Sequence, residues 1–206
     1  TVTTDIQTIN PNVAQAIATD ANGNFVVVWA SNLQDTSLYG VYAQRYSADG
    51  TAQGAAFQVN TTTADNQLNA TVAMDAAGNF VVTWSSNLQD GDLSGIYARR
   101  YDAAGVAQGG EFLVNTTTAG SQSGPAIAMS SSGAFVIAWT GGGQDPDASS
   151  SIFAQRFNSS GVAQGVEFRV NTYTVNTQQL SSVAMDAAGN FVVTWASNLQ
   201  DDGASY

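Results

Sequence analysis

A run of seven residues, Gly23-Asn24-Phe25-Val26-Val27-Val28-Trp29, comes back three times along this chain. It returns as Gly78-Asn79-Phe80-Val81-Val82-Thr83-Trp84, as Gly133-Ala134-Phe135-Val136-Ile137-Ala138-Trp139, and as Gly189-Asn190-Phe191-Val192-Val193-Thr194-Trp195. The four phenylalanines stand 55, 55 and 56 residues apart. Two further landmarks keep step. Val41-Tyr42-Ala43-Gln44-Arg45-Tyr46 answers to Ile96-Tyr97-Ala98-Arg99-Arg100-Tyr101 and to Ile152-Phe153-Ala154-Gln155-Arg156-Phe157. Phe57-Gln58-Val59-Asn60-Thr61 answers to Phe112-Leu113-Val114-Asn115-Thr116 and to Phe168-Arg169-Val170-Asn171-Thr172. A fixed period of this kind means one supersecondary unit stacked on copies of itself, because a single unit cannot bury its apolar face alone. The chain therefore reads as a single repeat domain, with approximate units 10–60, 61–115, 116–171 and an incomplete 172–206.

Within one unit the pattern predicts four short strands: near 71–74, at 80–84, at 96–101 and at 111–115. Valine, isoleucine and aromatic residues dominate them, and Asp-x-x-Gly turns separate them. Glycine takes positive φ in such turns at no steric cost. No segment carries helical periodicity. Four antiparallel strands at this period predict an all-β fold, a β-propeller built from four-stranded antiparallel blades. Alternation sends Phe80, Val82 and Trp84 to one face and Val81 and Thr83 to the other. Both faces are mostly apolar, as a strand held between two neighbouring blades requires. The small residues Ala18, Ala73, Ala128 and Ala184 suit first strands crowded about an axis.

Charge narrows the range of partners. Sixteen acids against five arginines and no lysine give a formal net charge of −11. Such a surface repels phosphate backbones and anionic headgroups, so neither nucleic acid nor membrane insertion is expected. Divalent cations, proteins and neutral glycans remain open. The absence of cysteine removes disulfides, thiolate metal sites and thiol nucleophiles together. No window reaches the ~18 apolar residues of a membrane span. Residues 1–12 lack the basic start and apolar run of a signal peptide, so an export signal is expected outside this stretch.

Taken together, Phe-Val-Val-x-Trp, the Gln-Asp loop, Tyr-Ala-x-Arg-Tyr and Phe-x-Val-Asn-Thr resemble a repeat of very large secreted or surface-attached bacterial proteins. The segment Ala73-Met74-Asp75-Ala76-Ala77-Gly78-Asn79-Phe80-Val81-Val82 is similar to the inner hairpin of NHL-type propellers. The resemblance implies an extracellular or cell-surface location. It brings no activity with it.

The repeat also organises the candidate site residues. Gln34-Asp35, Gln89-Asp90, Gln144-Asp145 and Gln200-Asp201 recur in the loop between second and third strands, followed by Asp92 and Asp147. In a four-stranded meander these loops emerge at the same end as the connections between units, making one polar ligand-binding face. Asp90, Asp92, Asp145 and Asp147 supply the hard oxygens that Ca2+ prefers, although no cofactor is required and structural turns explain them as well. Trp29, Trp84, Trp139 and Trp195 are read as core, with sugar-stacking platforms the alternative. Arg45, Arg100 and Arg156 share one equivalent position and are read as structural, pairing with a carboxylate or stacking on an aromatic ring. Asn60 and Asn115 head Asn-x-Thr sequons that arise by chance in so Asn- and Thr-rich a chain.

Catalysis looks poorly supplied at this level. No histidine and no cysteine means no triad and no imidazole chemistry. Paired carboxylates of the glycosidase kind remain formally open, but a catalytic pair should break the repeat, and the acids follow it. The expectation is a non-catalytic extracellular structural or interaction module, with calcium an optional stabiliser, meeting a protein or glycan at a surface. A propeller lectin for neutral glycans is the alternative, and a carboxylate-based glycan hydrolase or lyase the remote one. Residues 2–6 alternate enough to close a ring as an outer strand, and self-association completing the propeller is the other expected route.

Overall fold

The structure is a computed structural model that describes residues 16–32, 34, 37–144, 149–198 and 200. The fourteen strands among the described residues fall into consecutive antiparallel meanders. The first sheet runs β1 (Ala16–Thr19), β2 (Phe25–Asn32), β3 (Tyr39–Tyr46) and β4 (Phe57–Gln58) in spatial order. The second holds β5 (Gln67–Met74), β6 (Phe80–Asn87), β7 (Ser94–Tyr101) and β8 (Phe112–Leu113). The third holds β9 (Gln122–Met129), β10 (Phe135–Gly142), β11 (Ser150–Phe157) and β12 (Phe168–Arg169). A two-stranded fourth is formed by β13 (Gln178–Met185) and β14 (Phe191–Ser197). These are blades 1 to 4 of a β-propeller, with β1, β5, β9 and β13 packed in series as inner strands.

Alternation along the second strand of each blade builds the core. Val26, Val28, Val41 and Ala43 on the trailing face of blade 1 pack against Phe80, Val82, Trp84 and Tyr101 on the leading face of blade 2. Val81, Ile96 and Ala98 then meet Phe135, Ile137 and Trp139 of blade 3. Val136 and Ala138 in turn meet Phe191 and Val193 of blade 4. One interface is thus made three times over from equivalent residues.

Polar ties reinforce the same joints. The Arg45 guanidinium donates through Nη1 to the Ala104 carbonyl of the next blade at 2.6 Å, and Arg100 does the same to Ser160 at 2.6 Å. The glycine of each accepting turn makes room for this. A Cβ at Gly105 would lie 2.9 Å from Arg45 Cδ, and one at Gly161 would lie 2.7 Å from Arg100 Cδ.

The inner strands of blades 2 to 4 start earlier than expected, at 67 rather than 71 in blade 2, because each of these three carries a β-bulge. Register slips between Leu68 and Thr71 and between Gln179 and Ser182, and opposite Ala138 and Thr140 in blade 3. The equivalent residues Asn69, Gly124 and Leu180 take positive φ there. The fourth strands are shorter than expected, two residues instead of five.

Candidate functional site

The meander gives the molecule two chemically different ends. At one end lie the turns from first to second and from third to fourth strand. At the other lie the Gln-Asp loops and the connections between blades.

At the turn end, the acids are spent on backbone. Asp75 Oδ1 accepts the Ala77 and Asn79 N–H groups, and its Oδ2 accepts the Asn79 amide at 2.8 Å. Asp20 and Asp186 repeat the motif with Asn24 and Asn190, whose amides hold the two carboxyls below the usual aspartate range. Blade 3 substitutes Ser130, whose hydroxyl accepts the Ala134 N–H. Between the turns of adjacent blades run two equivalent clefts. One of about 330 Å³ is lined by Asp75, Asn79, Arg100, Asp102, Gln108 and Ser132, and its counterpart near Asp20 and Arg45 measures about 280 Å³.

At the loop end a buried amide pair closes each connection. Asn115 Oδ1 accepts the Ile96 N–H at 2.7 Å, while its Nδ2 donates to the Thr117 carbonyl and, at 3.5 Å, to Gln122 Oε1. Gln122 Nε2 donates to the Ala119 carbonyl. Asn60 with Gln67, and Asn171 with Gln178, do the same. Asn60 and Asn115 are 4% and 2% exposed, so both sequons are sealed inside the fold with their amides already in use.

Over blade 2 this end assembles a denser group. Glu111, at the head of β8, reaches back to blade 1 and accepts the Thr61 N–H at 2.7 Å, the Thr62 N–H and the Thr62 hydroxyl. Its Oε1 also accepts the Gln89 amide at 2.8 Å. Asp90 leans over Gly95, where a Cβ would collide with its carboxylate. Asp90 Oδ2 is the only buried carboxylate oxygen without a hydrogen-bond partner among the described residues, and Gln89 Oε1 and Trp84 Nε1 are likewise unpartnered. Trp84 stacks on Tyr97 at a centroid distance of 6.5 Å. The Tyr97 hydroxyl is pushed up to about 12 by burial, with the charges of Asp90 and Glu111 adding to it.

Burial alone would raise the Glu111 carboxyl, but the Thr61, Thr62 and Gln89 donors outweigh it and hold the group below the ordinary glutamate range. A carboxylate depressed in the folded state contributes stability above its unfolded value and loses it as pH falls through the folded one. Glu111→Gln is therefore expected to cost about 1–2 kcal/mol at neutral pH, through weakened charge-assisted bonds. The gap between variant and wild type should close as pH is lowered below the ordinary value of 4.5, which thermal melts at stepped pH would read.

The expected site residues divide as follows. Gln89 and Asp90 meet in the group just described, and Gln144 is half-buried in the equivalent place over blade 3. Gln34, Gln200 and Asp92 are exposed, and Asp92 Oδ2 accepts the Gly120 N–H of the next blade. Asp35, Asp145, Asp147 and Asp201 lie outside the described residues, as do residues 2–6. Among the described residues no three Asp, Glu, His or Cys side chains converge as a metal centre would need. Trp84 and Trp139 are fully buried, while Trp29 and Trp195 are half-buried. The Arg45 and Arg100 partners are backbone carbonyls, not the carboxylates or rings expected. The ring stacking belongs to Arg99, which lies 5.6 Å from the Tyr101 centroid and donates to the Val59 carbonyl.

Glu111 was missed as a site residue. Its signal was available, since Glu167 stands 56 residues on and accepts the Thr116 N–H and hydroxyl in the same way.

No protein-family model matches the chain, and no curated protein matches it in sequence. Solved structures do match in fold. The endo-arabinase of Bacteroides thetaiotaomicron VPI-5482 superposes with a TM-score of 0.54 at 16% identity, over 84% of this chain and 66% of that one. A thermostable family-43 glycoside hydrolase gives 0.53 at 13% identity, over 88% and 64%. A Dyadobacter fermentans DSM 18053 protein of unknown function gives 0.58 at 10% identity, over 89% and 62%. The chain thus spans less than two thirds of the length of these structures.

These likenesses overturn the expectation of a non-catalytic module that is no enzyme. The propeller is a scaffold of glycoside hydrolases, whose chemistry asks for carboxylates and needs neither histidine nor cysteine. The symmetry argument fails as well. Blade 1 has Ala56 where blades 2 and 3 have Glu111 and Glu167, so this acid does not recur in every blade.

Proposed function

We propose that this chain belongs to a carbohydrate-acting β-propeller, with paired-carboxylate glycoside hydrolysis as its chemistry. The observation that carries the reading is the blade 2 group, where Asp90 keeps a buried carboxylate oxygen unspent beside Glu111 and Tyr97. Hydrolysis of a glycosidic bond uses one carboxyl to exchange a proton and another as base or nucleophile. Asp90, with an oxygen free of other partners, is the carboxyl assigned to the reaction, and Glu111, whose oxygens are taken by Thr61, Thr62 and Gln89, holds Gln89 beside it. Gln89 Oε1, without a hydrogen-bond partner, adds an acceptor beside Asp90. An acidic protein without lysine favours a neutral glycan over a charged one. The endo-arabinase and the family-43 glycoside hydrolase that share the fold support the same substrate class.

The repeat type belongs with this proposal. The motifs of the Phe-Val-Val-x-Trp unit support a reading as part of a large secreted or surface-attached bacterial repeat protein that works outside the cell.

Release of reducing sugar from arabino-oligosaccharides and a panel of neutral glycans tests the reading. Wild-type chain is expected to hydrolyse at least one of them, and Asp90→Asn to slow that reaction by roughly 100-fold or more with an unchanged melting temperature. A folded wild-type chain inert towards the whole panel, or an Asp90→Asn variant as active as wild type, overturns it.

A further inference from the structure

The three methionines of the chain all fall at one place in the repeat. Met74, Met129 and Met185 each end an inner strand, opposite Phe80, Phe135 and Phe191 in register, and blade 1 has Thr19 there. At Met74 and Met129 the seam between blades is open. Met74 packs against the core shared by blades 1 and 2 and lines the cleft that holds Arg45. Met129 packs against the core shared by blades 2 and 3 and lines the cleft that holds Arg100. Both are half-buried, whereas Phe80 and Phe135 opposite them are sealed at 1% each. The two clefts, of about 280 and 330 Å³, are several times the ~30 Å³ that a water molecule takes up in the liquid, so a solute little larger than water can enter.

We propose that Met74 and Met129 are sites of oxidative modification, converted to methionine sulfoxide by small hydroperoxides that enter the inter-blade clefts. The thioether needs no catalytic group for this. The sulfur lone pair takes one oxygen from the peroxide as the O–O bond breaks, and hydrogen peroxide leaves as water. The sulfur is oxidised by two electrons and the peroxide is reduced by two. A chain without cysteine offers no thiol to react first. The product is a polar side chain where a flexible apolar one had filled the seam, so oxidation weakens the joint between neighbouring blades. Both residues lie at the turn end, away from the Asp90 group, and are independent of the carbohydrate reading.

Peptide mapping of the folded 206-residue chain after hydrogen peroxide treatment tests this. Met74 and Met129 are each expected to gain one oxygen while circular dichroism stays native, and the melting temperature to fall by several degrees. The fall should be largely absent from the double variant Met74→Leu, Met129→Leu, in which Met185 is left to react. Filling one cleft at a time supplies a second arm. Ala103 and Ser159 are exposed residues that line the clefts of Met74 and Met129 respectively. Ala103→Trp should slow oxidation of Met74 several-fold and spare Met129, and Ser159→Trp should do the reverse. Three results would overturn the proposal: Met74 and Met129 unreacted in folded wild type, oxidation rates unchanged by both tryptophan variants, or an equal melting loss in wild type and the double leucine variant.

Discussion

Trp84→Ala is expected to destabilise the chain by roughly 3–5 kcal/mol, the range for removing a fully buried large aromatic. Trp84 is 0% exposed, sits in the core shared by blades 1 and 2, and stacks on Tyr97. Its loss opens a cavity between two blades that the surrounding valines are too short to refill. For a domain of this size the melting temperature should fall by on the order of 10 °C. Trp84→Phe separates volume from chemistry. The indole Nε1 has no hydrogen-bond partner, so phenylalanine forfeits part of the ring and no bond. It should cost well under half as much as alanine. Equal costs in the two variants would show that the indole N–H is engaged after all.

The second large effect falls on Asn115, which sequence reading treated as a chance sequon. Asn115→Ala withdraws the acceptor of the buried Ile96 N–H and the donor to Gln122 Oε1 in one step. Each buried polar group left unpaired costs about 1–3 kcal/mol, so the variant should lose roughly 3 kcal/mol or more. A double-mutant cycle with Gln122→Ala gives the sharper readout. Because the two side chains bond each other, the combined loss should fall short of the sum by on the order of 1 kcal/mol. Strict additivity would remove the pair from the account.

Asn115 also explains a boundary that periodicity could not supply. Residues 111–115 read as a five-residue strand, yet only Phe112–Leu113 pair as one. Val114 donates to the Ile96 carbonyl, and the returning Ile96 N–H is taken by the Asn115 side chain instead of by a strand carbonyl. A side chain standing in for backbone ends the ladder early. Likewise the bulge at Asn69 prolongs the inner strand backwards through residues with weak strand propensity. Strand identity and the apolar faces were legible because they depend on residue type at a spacing of two within a spacing of 55. Bulges and side-chain caps break that spacing.

The site was legible only by halves. The Gln-Asp loop announced itself by recurrence, which also made it look structural. Aspartate serves turns and glycosidases alike, so residue type does not separate Asp75, saturated by its own turn, from Asp90, with an oxygen to spare. Only hydrogen-bond accounting separates them. Glu111 is visible in the sequence as a residue that recurs at Glu167, but its role needed the fold, since its partners Thr61 and Thr62 lie 50 and 49 residues away.

That reach of one repeat has a consequence for how the chain tolerates change in length. The arginine ties span 59 and 60 residues and the glutamate ties 49 to 51, so each joins a blade only to its immediate neighbour. Every apolar joint obeys the same restriction. An in-frame duplication or excision of one whole unit leaves each surviving seam with its original chemistry. A shift by part of a unit would strand an arginine, an asparagine and a tryptophan together. Genetic slippage in such a chain is therefore quantised, with viable lengths differing by steps of one blade.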